Sequence, residues 1–269
     1  GNFVWVAPLD GSNGTEIVDI VATDNGRVYV AGNYSGNIDF DPTDGDFIVS
    51  RSPDAPPGAF IWSLNPDGSL RNVVTWDDGD EHTASALALD ISEAGGEGSI
   101  RVALAGFFLG SIDFDPGVGT TQLTSSISGD TFVVNIDDGG NFIYAGNFTG
   151  SAAVLPVDIA ADPVGNVYVM GDFSGNTDFD PSAGVFLLQS SDVDSMYVAS
   201  LDNQGMFRFA HGTALVLGEA IAVNPAGESC VAGRFNIFTD IDHGPGERII
   251  IPVGEASNSF MQKTRANGA

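Results

Sequence analysis

Sulfur, positive charge and long apolar runs are all scarce in this sequence. One cysteine, Cys230, stands among 269 residues, so no disulfide forms within the chain. It lies in the apolar segment ESCVAG, where a small buried thiol is the expected role and a nucleophile is not. Nine Lys+Arg, with Lys263 the single lysine, face 36 Asp+Glu, for a formal net charge of −27. That surplus repels phosphate backbones and anionic lipid surfaces, which argues against nucleic-acid and membrane partners and favours inorganic cations or a basic partner. The longest apolar stretch, Val102 to Leu109, is too short to span a bilayer as a helix. His82, His211 and His243 fall at no metal-ligand spacing and make no zinc set with Cys230. No GxSxG, P-loop or helix-opening GxGxxG occurs, and no amphipathic helical segment is present.

What is abundant is glycine, at 35 residues, together with Val, Ile and aromatics, which suits many short strands joined by tight turns. Four strings repeat: AGNYSGNIDFDPTDG, AGFFLGSIDFDPGVG, MGDFSGNTDFDPSAG and AGRFNIFTDIDHGPG. Their glycines Gly32, Gly106, Gly171 and Gly233 are 74, 65 and 62 residues apart. A fixed period means that each unit buries an apolar face against its neighbour.

Each unit reads as four strands. The first is DIVATD, SALALD, VDIAAD or EAIAVN, and aligning them places Ala22, Ala88, Ala160 and Ala222 at one crowded position near a shared axis. The second carries the repeat glycine and an aromatic two residues on (Tyr34, Phe108, Phe173, Phe235), and the third an aromatic at Phe60, Phe132, Tyr197 or Phe260. Turns with Gly68, Gly140, Gly205 and Gly268 lead to a fourth strand. The last unit has no such strand after Gly268, whereas Gly1-Asn2-Phe3-Val4-Trp5-Val6 matches Gly140-Asn141-Phe142-Ile143-Tyr144-Ala145. From Gly233 through the C-terminus and on from residue 1 to Gly32 is 68 residues, within the range of the other repeats. The expectation is therefore an all-β single domain over 1–269: a four-bladed β-propeller of four-stranded antiparallel blades, about 15–76, 84–150, 154–211 and 216–269 plus 1–8. Residues 2–7 would pair beside 259–265 and close the ring, which removes exposed strand edges. The ring is expected as a monomer, with a dimer of half-rings as the alternative.

The pattern GxVYVxG…DFDP with a closing xDG turn resembles the bacterial SBBP-type β-propeller repeats of large secreted or surface proteins, over essentially the whole chain. The resemblance implies a propeller, an extracellular or cell-surface setting and often a multidomain parent; the opening directly on a strand fits an excised or processed domain. It supplies no catalytic residues.

Asp-x-Asp recurs at Asp39/Asp41, Asp113/Asp115, Asp178/Asp180 and Asp240/Asp242. In extended chain both carboxylates share a face while Phe40, Phe114, Phe179 and Ile241 point into the blade. A following turn rich in carbonyls, with Asp44 adding a third carboxylate in the first copy, suits Ca²⁺ and its 6–8 oxygen ligands. Asp before proline also caps turn amides with no metal. The fourth copy, with His243 in place of proline, is the weakest site. An enzyme reading would rest on channel carboxylates, as in propeller glycosidases, with Asp19, Asp158 and Glu219 as candidates at unaligned positions. Trp5, Trp62 and Trp76 are expected to pack rather than to form a sugar platform. The leading expectation is a non-catalytic module, calcium-stabilised, binding a protein or polysaccharide at a loop rim; the alternative is a carbohydrate-active enzyme.

Overall fold

Four antiparallel meanders follow one another along the chain, each pairing its strands in sequence order. The computed structural model describes residues 1–12, 14–77, 82–93, 100–242, 247–254 and 257–268, and of 191–194 the backbone alone. Among the described residues every regular element is a strand. Module 1 comprises Thr15–Ala22, Val28–Tyr34, Gly58–Leu64 and Leu70–Trp76. Module 2 comprises Thr83–Glu93, Ile100–Leu109, Asp130–Asp137 and Phe142–Gly150. Module 3 comprises Val154–Ala161, Val167–Asp178, Leu187–Leu201 and Phe207–Ala214. Among the described residues, the module 4 sheet comprises Val216–Val223, Ser229–Phe235 and Asn258–Thr264. Pairing of Thr149 with Asp178 and Gly150 with Thr177 joins modules 2 and 3 into one eight-stranded sheet. The first strands pack in series, module 1 on 2, 2 on 3 and 3 on 4.

The repeat glycines are explained by close approach. In the ladder Gly32, Gly106, Gly171 and Gly233 lie opposite Phe60, Phe132, Tyr197 and Phe260. A Cβ on Gly106 would sit 2.2 Å from the Ser85 carbonyl oxygen and 2.5 Å from the Phe132 ring, and the other three positions are as tight. The missing side chain lets the aromatic lie across the sheet. There it meets the second-strand aromatic and the Phe of the DFD segment: Tyr34–Phe40–Phe60, Phe108–Phe114–Phe132 and Phe173–Phe179–Tyr197 are edge-on or tilted clusters with centroids 4.8–6.3 Å apart. Module 4 keeps only Phe235–Phe260, at 6.4 Å.

Most of the core lies between modules, in layers. One layer joins Tyr29, Ala31, Ile61 and Val74 of module 1 to Leu89, Val102, Leu104 and Phe132 of module 2. The next joins Ala103, Ala105 and Val133 to Ile159, Val167, Val169 and Tyr197. A third joins Tyr168, Met170 and Val198 to Ile221, Val231 and Phe260. The opposite face of module 1 (Val30, Phe60, Trp62, Leu64) is backed by Trp5, Ala7 and Leu9.

A second interlock repeats at the turns. The residue four past each turn glycine packs on the turn glycine of the following module: Trp5 on Gly68, Asn72 on Gly140, Tyr144 on Gly205 and Phe209 on Gly268. These glycines have φ of 77–85°, the left-handed region that a hairpin turn of this type requires.

Two expectations are corrected. Residues 1–9 are outside any strand, and the described pairing of Asn258–Thr264 is with Ser229–Phe235, so the predicted ladder between residues 2–7 and 259–265 is not formed. Trp5 instead seats on module 1, donating its indole N–H to the Pro66 carbonyl at 3.0 Å. Its place on Gly68 is nonetheless that of a fourth-strand residue, as the match to Tyr144 implied. The alanines also do not share a register. Each first strand bulges opposite its repeat glycine, and counted from Ile17, Ala86, Pro156 and Gly218, only Ala160 and Ala222 are equivalent. Ala22 and Ala222 are exposed, so no ring of four alanines exists.

Candidate functional site

The DFD segments sit on small hairpins inserted between the second and third strands. The arms are 37–39 with 48–50, 111–113 with 122–124, 175–178 with 187–190, and 239–240 with 249–250. Alternation puts the central Phe40, Phe114 and Phe179 in the module core, fully buried, and leaves the aspartates at the rim.

The first aspartate of each pair closes its hairpin by accepting two amides on one oxygen. Asp39 Oδ1 accepts from Asp41 (3.0 Å) and Phe47 (2.9 Å), and Asp113 Oδ1 from Asp115 (3.1 Å) and Thr121 (2.8 Å). Asp178 Oδ1 accepts from Asp180 (3.1 Å) and Phe186 (2.8 Å), and Asp240 Oδ1 from Asp242 (3.0 Å) and Arg248 (2.7 Å). The second aspartate starts the next turn, as when Asp41 Oδ1 accepts from the Thr43 amide and hydroxyl (2.9 and 2.6 Å). Those two bonds, the hydroxyl first, hold the Asp41 carboxyl below its ordinary value. Asp115 and Asp180 cap Gly117 and Ser182 in the same way (2.8 and 2.9 Å). The other oxygen of Asp41, Asp115 and Asp180 lies against Gly45, Gly119 and Gly184, where a Cβ would come within 2.1–2.4 Å. Asp44 is exposed on the first loop. No group of three His, Cys, Asp or Glu able to hold a metal forms among the described residues. Two carboxylates per loop would need loop carbonyls and water to complete a calcium shell. His243 and Gly246 of the fourth copy lie outside the described residues.

A second acidic set lies on the first strands. Asp19 Oδ1 accepts the Ile20 amide (2.8 Å) and Asp19 Oδ2 accepts Leu89 N–H from module 2 (2.9 Å). Asp90 does the same with Ile91 (2.8 Å) and with Ala161 of module 3 (2.8 Å). Asp158 accepts from Ile159 (2.9 Å) and from Ile221 of module 4 (2.7 Å). Each first strand is the edge of its sheet, and these carboxylates satisfy edge amides of the next module. Burial raises the Asp90 and Asp158 carboxyls above their ordinary range; the bound amides pull back, and the neighbouring carboxylates push further up. At the equivalents of Asp158 and Asp90, module 4 carries Ala220 and Ala222. Glu219 points elsewhere, pairing with Arg234 at the surface (2.5 Å).

The structure thus places Asp19 and Asp158 at equivalent positions, two past Ile17 and Pro156, although the sequence alignment had set them apart. Glu219 lies one residue off that position, at the bulge, and Asp90 is added. Asp90 escaped the sequence because it sits two positions beyond the Asp19 and Asp158 register and its partners are backbone amides, which leave no residue pattern. Also missed was buried Asp138, which binds Arg27 (2.8 Å), Arg71 (3.1 Å) and the Tyr29 hydroxyl across the module 1–2 junction. His82 is half-buried beside Gly110, and His211 is buried and stacks on Phe209 at 6.0 Å. Cys230 is half-buried. Trp62 and Trp76 are buried, donating to the Phe40 and Phe114 carbonyls (2.9 and 3.0 Å). No protein-family model matches the chain, and no curated protein matches it.

Proposed function

We propose that the chain is a run of four β-propeller blades of the SBBP-like type, serving a secreted or surface protein as a non-catalytic binding or structural module. The observation that carries this is the use of Asp19, Asp90 and Asp158: each accepts amides from its own strand and from the next module, so these carboxylates join blades. A glycosidase needs two carboxyls available to a glycosidic oxygen and a water. The partner, a protein or a polysaccharide, would be met at the hairpin rim. Incubation with a panel of polysaccharides is expected to release no reducing ends above those of an Asp19→Asn/Asp158→Asn variant. Release that the variant abolishes would establish the enzyme alternative.

The same reading places calcium at the rim, held by Asp39, Asp41 and Asp44, by Asp113 and Asp115, and by Asp178 and Asp180. A cation would relieve the crowding of carboxylates in a chain of net charge −27. Binding only to the folded state raises stability by about 2.7 kcal/mol at a hundredfold excess over the dissociation constant. Calcium is expected to raise the melting temperature over chelator at matched ionic strength, magnesium to do less, and Asp41→Asn to reduce the rise. Identical melts with calcium and chelator would leave turn capping as the whole role of these aspartates.

A further inference from the structure

Both ends of the array expose positions that are buried at every interior junction. Module 4 presents Cys230, Ala232 and Met261 where the earlier modules present Tyr29, Ala31 and Ile61, or Ala103, Ala105 and Val133, or Tyr168, Met170 and Val198. All nine of those side chains are buried in the layers. Cys230 and Ala232 are only half-buried, and Met261 is 74% exposed. At the other end Ile20 is 63% exposed, whereas its equivalents Leu89, Ile159 and Ile221 are 4%, 4% and 7%. The layer built on Val30, Phe60 and Trp62 therefore has one half of the pair that each other layer has.

The two faces are complementary by the logic of the repeat, since three interior junctions already join the same pair of faces. Among the described residues the main contacts of module 4 are with module 3 and those of module 1 with module 2, and no strand pairing joins modules 4 and 1. The strand that would seal the junction is already placed. Residues 1–9 carry Trp5 on Gly68, the seat that a fourth-strand residue of a preceding module takes at every other junction. Phe3, Val4 and Val6 on that segment are exposed.

We propose that module 4 of one copy docks on module 1 of a second copy, head to tail, with residues 3–7 of the second copy adding as an antiparallel fourth strand to Asn258–Thr264 of the first. The register follows from the complete modules. Ser63 pairs with Asn72, Asn135 with Tyr144 and Ser200 with Phe209, each four past its turn glycine. By equivalence Lys263 pairs with Trp5, Gln262 with Val6, Met261 with Ala7 and Thr264 with Phe3. Strand addition of this kind satisfies an exposed sheet edge, and a head-to-tail contact propagates until its rotation closes a ring. At the register positions of Asp19, Asp90 and Asp158 module 4 carries Ala220 and Ala222, so the junction is held by apolar contact and strand pairing. With both copies strongly acidic, salt strengthens the contact. The proposal rests on the four modules being equivalent blades.

The test uses two single-cysteine chains in a Cys230→Ser background, one with Ala7→Cys and one with Met261→Cys. Directly opposed residues on paired strands lie within disulfide reach, with Cα atoms about 4.5–5.5 Å apart. Mixed and oxidised, the two chains are expected to give a heterodimer on non-reducing gels. Sedimentation of the unmodified chain is expected to show mass rising with concentration and salt. Met261→Glu, at a residue exposed in the single chain, should abolish that rise with the melt unchanged. Cross-linking confined to a chain carrying both cysteines, as a faster-migrating monomer, would overturn the second-copy docking in favour of closure within the chain. Absence of cross-link and of mass increase, with cooperative melting retained, would overturn the docking and leave the blade reading intact.

Discussion

At the level of single residues, the buried aspartates that join modules have a signature in pH. Asp90 and Asp158 have folded-state pKa values raised above the unfolded value, chiefly by burial. Between those two values the folded chain binds more protons than the unfolded one, so their contribution to stability is greatest below the unfolded value of 3.8 and is lost as pH rises through the folded one. Exposed Asp41, whose pKa is lowered by Thr43, acts in the opposite sense, stabilising above 3.8 and losing that contribution on acidification. Asp158→Asn keeps one acceptor oxygen but turns an NH₂ toward an amide that needs an acceptor, at a cost of about 1–3 kcal/mol. Thermal melts should show this variant below the wild type at pH 7, with the gap widening as pH falls toward 4. A gap that closes over that range would contradict the sign. The repeat glycine is equally unforgiving. Gly106→Ala forces a methyl against the Ser85 carbonyl and the Phe132 ring and should lower the urea midpoint by the equivalent of about 1–3 kcal/mol. A neutral result would mean that ring and strand shift apart freely.

Among the elements, the inserted hairpin behaves as a plug whose central residue completes the aromatic cluster. Phe114 is fully buried against Phe108 and Phe132, so Phe114→Ala should cost about 3–5 kcal/mol in denaturant unfolding. Ile241→Ala, at the half-buried equivalent in module 4, should cost clearly less. Equal costs would deny that the plug deteriorates along the chain. The elements were largely legible in the sequence, because a period-2 pattern broken by Gly-containing turns at a constant offset has few structural solutions. The Phe of each DFD was legible too, since alternation alone sends it inward. Three things were not. The alanine alignment failed because Ala22 and Ala88 lie 10 and 18 residues before their repeat glycines whereas Ala160 and Ala222 lie 11 before theirs, so the closing Asp or Asn used to align them is not a constant ladder position. The bulge opposite each glycine is common to all four strands. Asp90 bonds backbone amides, which any residue supplies. The seat of residues 1–9 depends on which edges meet, a property of the assembled sheets and not of any segment, although the match of Trp5 to Tyr144 was visible and held at Gly68.

The whole molecule carries its charge against its own fold. A net charge of −27 is self-repelling when compact, so monovalent salt should stabilise the folded chain as the screening length falls from about 30 Å at 0.01 M to about 8 Å at 0.15 M. Calorimetry over that range should show a rising melting temperature, and a flat or falling response would mean that carboxylate–amide and carboxylate–arginine bonds outweigh the repulsion. The junctions also have a direction. Amides of Leu89, Ala161 and Ile221 reach back to carboxylates of the module before, and Gly140, Gly205 and Gly268 slide beneath residues of the module before. In these two contacts the receiving groups are upstream, whereas Asp138 and the Phe114 carbonyl of module 2 receive from Arg27, Arg71 and Trp76 of module 1. During synthesis, which proceeds from the N-terminus at about 5–20 residues per second, each meander leaves the ribosome to find its dock already built. The polypeptide can be laid down like courses of brick, with the most recent unit alone incomplete at any moment.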